Sequence, residues 1–267
     1  MKTATEPPVL ELQGVDLPLQ HRSTLPLVSD VNWSVYPGEY WVVAGLSGSG
    51  KSTLLAVAAG LERPLQGAVR IFGLEITDLI AEEWLDRRLK VGIVFEAGSR
   101  IFRDLTVFQN LSLPLCYHQD RQPDGVAAEL RELLDWMQLT EVAQQTPGRI
   151  ERRLRSRLGL ARALALKPEL LLVDNPLASL DVSEITWWLT QLDSLNQGHP
   201  WMQYRPVTLI ITAHHLGSWV ARASHFAVIH DRQWHPLGGP DDLRAIQSCE
   251  YQELLSFPGS AAPHPPV

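Results

Sequence analysis

Gly45-Leu46-Ser47-Gly48-Ser49-Gly50-Lys51-Ser52-Thr53 is the stretch on which the reading of this chain turns. A β-like apolar run, Tyr40 to Ala44, leads into it, and an apolar helical run, Thr53 to Ala59, leads away. Strand, glycine-rich loop and helix in that order are the setting in which G-x-x-x-x-G-K-[ST] cradles phosphate. The glycines let the backbone curl so that successive N–H groups point at phosphate oxygens. The helix start adds unpaired N–H groups and the positive end of its dipole. In this reading Lys51 reaches the β- and γ-phosphates and the Ser52 hydroxyl holds Mg²⁺. Gly45, Ser47, Gly48, Ser49, Gly50 and Thr53 complete the expected cradle, and a nucleoside triphosphate is the implied ligand.

Working outward, Val31 to Tyr36 alternates apolar and polar residues, and Pro37-Gly38 turns it into the strand before the loop. Val9 to Val15 reads as an earlier strand. Beyond the loop helix, Gly67 to Gly73 reads as a short strand, 78–89 as a helix and Val91 to Phe95 as a buried strand. Only helical pattern follows over 97–160. Thr106 is placed to cap a helix, Val126 to Met137 is amphipathic, and Arg157 to Leu166 reads as helical. Leu170 to Val173, Val207 to Thr212 and Phe226 to Ile229 are apolar strands, separated by segments expected to be helical. The proline-rich tail from Phe257 is expected to lack structure. Alternation of strands and helices implies an α/β fold with a mainly parallel sheet, preceded by an antiparallel section and interrupted by a helical insertion.

At 267 residues the chain is long enough to bury a substantial core. Its net charge of -7 argues against nucleic acid as the main partner. Cys116 and Cys249 show no metal-ligand spacing, which suits a reducing compartment. The first residues have no apolar core of the kind a secretion signal needs, and no uncharged apolar run approaches bilayer length. The chain is therefore expected to be cytoplasmic, with any membrane role passing through a partner.

A phosphate loop works with an acidic residue at the end of a neighbouring strand, which holds Mg²⁺ through water. Leu170 to Val173 ends in Asp174 and supplies one. With Ala161 to Leu164, Ser179-Leu180-Asp181 and Thr212-Ala213-His214 following in order, the chain resembles the ATP-binding subunits of ATP-binding cassette (ABC) transporters from about residue 9 to 245. The resemblance implies a P-loop NTPase fold with a RecA-like core, an antiparallel β section and a helical subdomain. The corresponding boundaries are 1–96, 97–160 and 161–256, with a tail at 257–267. It implies ATP and Mg²⁺ as cofactors, a head-to-tail dimer with a second such subunit, and a transmembrane permease gripped near Asp104 to Leu115. The chain would then lie peripherally on the inner face of the membrane.

Carried over residue by residue, Gly45 to Thr53 resembles the Walker A loop and Asp174 the Walker B aspartate. Ser179 to Asp181 resembles the loop that passes between subunits, and His214 the histidine that contacts the γ-phosphate. Several stations depart from the family. Asn175 stands where the family has a general-base glutamate, and a neutral amide accepts no proton near pH 7. Glu96 stands where it has glutamine, and is a candidate Mg²⁺ ligand alongside Ser52 and Asp174. Ile150-Glu151-Arg152-Arg153-Leu154 replaces the serine-glycine-glycine turn, and Leu19 stands near the position of the adenine-stacking aromatic, with His21 as a substitute. The arginines of Arg149 to Arg157 read first as a solvated helix face, with an anion-facing role as the alternative. The implied function is an ATP-binding transporter subunit with weak or absent hydrolysis. Two alternatives stay open: a soluble ABC protein acting as an ATP-gated interaction module, and a fully active ATPase in which Glu96 replaces the missing carboxylate.

Overall fold

The computed structural model describes residues 6–19, 25–76, 81–96 and 100–245, with the side chains of 81–83 left out. His21 and the tail at 257–267 lie outside the described residues. Among the described residues ten strands share one sheet in the order β5-β4-β1-β2-β10-β9-β3-β8-β7-β6. Its antiparallel part contains β1 (Leu10–Pro18), β2 (Pro26–Val35), β4 (Gln66–Ile71) and β5 (Leu74–Glu75). Its parallel part runs through β9 (His225–His230), β3 (Tyr40–Ala44), β8 (Thr208–Ala213), β7 (Leu170–Val173) and β6 (Val91–Val94). The antiparallel hairpin of β9 with β10 (Gln233–Gly238) bridges the two through Gln233 and Ser29.

The central strands read as continuous apolar runs because both sheet faces are covered. Successive side chains point to opposite faces, so Tyr40, Val42 and Ala44 enter one core while Trp41 and Val43 enter the other. Helix α1 (Lys51–Ala58) packs with β1, β2 and β4 on the second face, whereas α3 (Val107–Gln119), α4 (Pro123–Trp136), α5 (Arg152–Leu164) and α6 (Val182–Gln197) cover the first. A short α2 (Ala81–Leu89) precedes β6, and α7 (Pro240–Ala245) ends the described chain.

The helical insertion is built as its sequence suggests. Thr106 caps α3 by accepting from the Gln109 N–H, and the Gln109 side chain accepts from the Thr106 N–H in return. Val126, Leu130, Leu133 and Leu134 form the buried stripe of α4.

Three local expectations change. Helix α5 begins at Arg152, five residues before the expected start at Arg157, and it runs on across residue 160 to Leu164. The segment between β8 and β9, expected to be helical, is a series of turns closed by bonds such as Trp219 N–H to Leu216 O and Arg222 N–H to Trp219 O. Gly217-Ser218 interrupts its apolar pattern with two poor helix formers. Strand β10 was not expected, because its hairpin turns on Asp231-Arg232, both at positive φ, and carries no Asn-Gly cue.

Candidate functional site

The site lies where β3, β6, β7 and β8 end together. Strand β3 delivers Gly45 into a loop whose Gly48 and Gly50 take φ of 78° and 109°, a region that side chains with a Cβ avoid. Gly45 is constrained by space instead. A Cβ there would come within 2.5 Å of Ser49 Oγ and 2.8 Å of the Ile229 carbonyl.

Helix α1 begins at Lys51 with neither a side-chain cap nor an acidic residue in its first turn. Its leading N–H groups and positive dipole end therefore go uncompensated by the chain itself, an arrangement suited to an anion. Ser49 Oγ is buried and without a hydrogen-bond partner among the described residues. Ser47 and Ser52 are exposed at the loop, and Thr53 is half-buried. These features fit the phosphates of a nucleotide.

Lys51 is only 6% exposed, and its ammonium donates to the Gly45 carbonyl at 2.5 Å and the Leu46 carbonyl at 2.8 Å. Burial pushes its pKa below the usual lysine value, against the opposing pull of the Asp174 and Glu96 carboxylates. Lys51 is thus held at the loop within electrostatic reach of both acids.

Asp174 follows β7 and keeps its N–H on the Val94 carbonyl at 2.8 Å, which ties the ends of β6 and β7. Asn175 then turns to φ 46°. Both residues are buried. Thr212 of β8 donates its hydroxyl to Asp174 Oδ1 at 2.7 Å and accepts from the Asn175 N–H at 3.0 Å. Asn175 Nδ2 lies 3.4 Å from Glu96 Oε1, a long contact for an amide donor. Glu96 is exposed at the end of β6.

Strand β8 also reaches the loop, since the Ala213 carbonyl accepts from Gly45 N–H at 3.3 Å. His214 follows directly, and its pKa is pushed below the usual histidine value by burial first and by the Lys51 charge second. A neutral His214 is the form this surrounding favours.

The loop, Asp174, Asn175, Glu96 and His214 are therefore brought together, whereas the other predicted stations are arranged differently. Ser179 is left-handed at φ 57°, and Asp181 caps α6 by accepting from the Glu184 N–H at 2.9 Å. At the five positions that depart from the family's serine-glycine-glycine turn, Ile150 is buried, Glu151 is extended and Arg152 to Leu154 are helical. Leu19 is exposed, one residue beyond β1.

The solvated-face reading of Arg149 to Arg157 holds for Arg149 and Arg152 but fails at Arg157, which is 3% exposed. Its guanidinium pairs with Glu184 at 2.5 Å, also donates to Gln138, and lies 4.2 Å from the Trp187 ring centre. Arg153 joins the same acid at 3.7 Å and Glu151 at 2.5 Å. The sequence singles out Thr212 only as a neighbour of His214; a β-branched residue in an apolar strand carries no signal of a role of its own beyond strand propensity.

Beside the site, a cleft of about 370 Å³ opens between the β6 end and helices α2, α3 and α5, with Arg88, Arg100, Ile101, His118 and Arg162 on its walls. Arg162 donates to the Arg100 carbonyl at 2.6 Å and lies over the half-exposed Phe102 ring. Among the described residues no helix is long and apolar enough to cross a membrane.

Residues 28–178 match the family model described as ABC transporter. The chain is 37% identical over 172 residues to the sulfate/thiosulfate import ATP-binding protein CysA of Photorhabdus laumondii, covering 62% of this chain and 46% of that protein. It is 35% identical over 170 residues to the methionine import ATP-binding protein MetN of Bifidobacterium longum, covering 64% and 42% respectively. The chain thus spans less than half the length of the curated relatives it matches. Its fold resembles the ATP-binding cassette MJ0796 in a dimeric post-hydrolysis state bound to ADP and Pi, with a TM-score of 0.74 and 25% identity, covering 84% of this chain and 96% of that one. It resembles CbiO1 of Clostridium perfringens, part of an ABC transporter complex, with a TM-score of 0.74 and 20% identity over 90% and 92% of the two chains.

Proposed function

Because the chain belongs to the ABC transporter family, we propose that it is the ATP-binding subunit of an importer, holding Mg-ATP at a dimer interface with a second such subunit and coupling it to a transmembrane permease. Its own hydrolysis is weak or absent. The relatives named for import support the direction, and the dimeric cassette of like fold supports the pairing.

The observation that carries the reading is Asn175. It occupies the buried turn directly after Asp174, where a carboxylate would serve as general base, and offers a neutral amide instead. The loop cradles the phosphates through the N–H groups of Ser47 to Ser52, and Lys51 supplies the positive charge. Ser52 would hold Mg²⁺ and Asp174 would hold it through water, with Glu96 as a further candidate ligand. His214, directly after β8, is the candidate for contact with the γ-phosphate. Mg²⁺, when bound, neutralises phosphate charge and orients the terminal phosphoryl group. What this chain lacks is the proton acceptor, a group typically worth about 10²–10⁴ in rate.

Nucleotide affinity and steady-state turnover of the purified chain test this. ATP binding that depends on Lys51, being lost in Lys51→Ala, with turnover far below the enzyme median of about 10 s⁻¹, is expected. Turnover near that median would overturn the weak-hydrolysis reading. A second reading, a full ATPase using Glu96, is favoured by the 3.4 Å approach of Glu96 to Asn175.

A further inference from the structure

We propose that Thr212 is a positioning residue for the metal side of this site, fixing the Asp174 carboxylate and the Asn175 turn with one buried hydroxyl. The inference rests on the reading of the chain as a binder of Mg-ATP.

Thr212 is fully buried near the end of β8, a strand that otherwise reads apolar from Leu209 to Ala213. A hydroxyl in such a place is costly unless its hydrogen-bonding capacity is used. Here it is used twice: Oγ1 donates to Asp174 Oδ1 at 2.7 Å and accepts from the Asn175 N–H at 3.0 Å.

The second bond meets a need created by the fold. Pairing between β7 and β8 reaches Val173 and Ile211 and goes no further. Asn175 lies beyond that pairing, and its N–H goes to the Thr212 hydroxyl at 3.0 Å. Thr212 is the next residue on β8, and its side chain takes over where the backbone ladder stops.

The first bond restrains the acid. With Oδ1 held, the carboxylate cannot rotate about its Cβ–Cγ bond without losing a charge-assisted hydrogen bond. The plane of the remaining oxygen is set by Thr212. Valine has the same shape and neither hydrogen-bonding role, so it removes the restraint and leaves the packing.

The test is binding of a fluorescent ATP analogue to the full chain, titrated with Mg²⁺, for wild type, Thr212→Val and Thr212→Ser. The Mg²⁺ concentration that gives half-maximal gain in affinity should rise about tenfold in Thr212→Val, the scale of one lost hydrogen bond to a charged group. Affinity without Mg²⁺, set by the phosphate loop, should stay unchanged. Thr212→Ser, which keeps the hydroxyl, should restore the wild-type Mg²⁺ dependence.

An unchanged Mg²⁺ dependence in Thr212→Val overturns the proposal. So does an equal loss of affinity with and without Mg²⁺, which would mark a purely structural role. If the valine variant does not fold, Thr212→Cys carries the same test with a smaller rise, of about threefold, because a thiol is a weak donor and acceptor. Failure of wild type to bind the analogue at all would instead sink the Mg-ATP reading itself, which separates the two outcomes.

Discussion

The side-chain amide of Asn175 approaches Glu96 Oε1 at 3.4 Å, joining the turn after β7 to the end of β6. An amide and a carboxylate thus meet beside Asp174 and within the electrostatic reach of Lys51. The pair decides between the two readings of turnover. If Glu96 served as the proton acceptor, Glu96→Gln would lower residual ATPase activity by about 10²–10⁴, the usual worth of a positioned base. The expected outcome is no such fall. Glu96 stands exposed at the end of β6 beside a neutral amide, and it is assigned to the metal side of the site and not to proton transfer. Single-turnover hydrolysis at saturating Mg-ATP distinguishes the two.

Arg157 and Glu184 tie the first half of α5 to the first turn of α6 inside the protein. Arg157→Ala leaves the Glu184 carboxylate buried with only the longer Arg153 contact. Breaking a buried pair on one side costs about 3–5 kcal/mol. Urea unfolding should show a loss of that order, and replacing Arg149, which is exposed, should change stability by less than about 0.5 kcal/mol.

The membrane partner should be reached through the cleft that Arg88, Arg100 and Arg162 line. Ile101 and Phe108 pack partly on the core, so the exposed apolar side chains at and beside the cleft are Leu61, Leu85 and Phe102. Cysteines placed at Arg100 and Arg103 should crosslink to a membrane protein in native membranes. If the trapped partners were all soluble, the permease assignment would lose its support.

Much of this site is legible in the residues themselves. The glycine-rich loop is continuous in sequence, and apolar runs such as Leu170 to Val173 announce strands buried on both faces. Asp174 is visible because it ends such a run. What depends on distant partners is not visible. The burial of Arg157 needs Glu184 and Trp187 on another helix, and within a basic run its sequence context points to solvent. Thr212 gains its role only because β8 lies beside β7 and the chain turns at Asn175. Strand β10 forms because β9 and β2 offer it a place, with little local propensity in Gln233 to Gly238.

Restoring the base by Asn175→Glu reports on which subunit sits opposite. In the proposed dimer each site combines the phosphate loop of one subunit with the turn before α5 of the other. With an identical partner, each site would join Asn175 to the Ile150 to Leu154 segment, so base repair alone should give little. With an intact partner, the site on this chain's loop lacks only the base, and ATP hydrolysis in the native complex should rise substantially. The altered turn is not a minor variation. Glu151 stands at its start, Arg152 and Arg153 occupy the first turn of α5, and Arg153 is engaged by Glu151 and Glu184. A double repair adding Glu151→Ser, Arg152→Gly and Arg153→Gly is the control, because coupled catalytic changes do not add. Each glycine in the helix costs about 1 kcal/mol, so folding of that variant is checked by thermal unfolding first. The expected result is a heterodimer response, since two defective sites would leave a transporter without a motor. Silence of Asn175→Glu in the native complex, with turnover regained only by the double repair, would assign an identical partner instead.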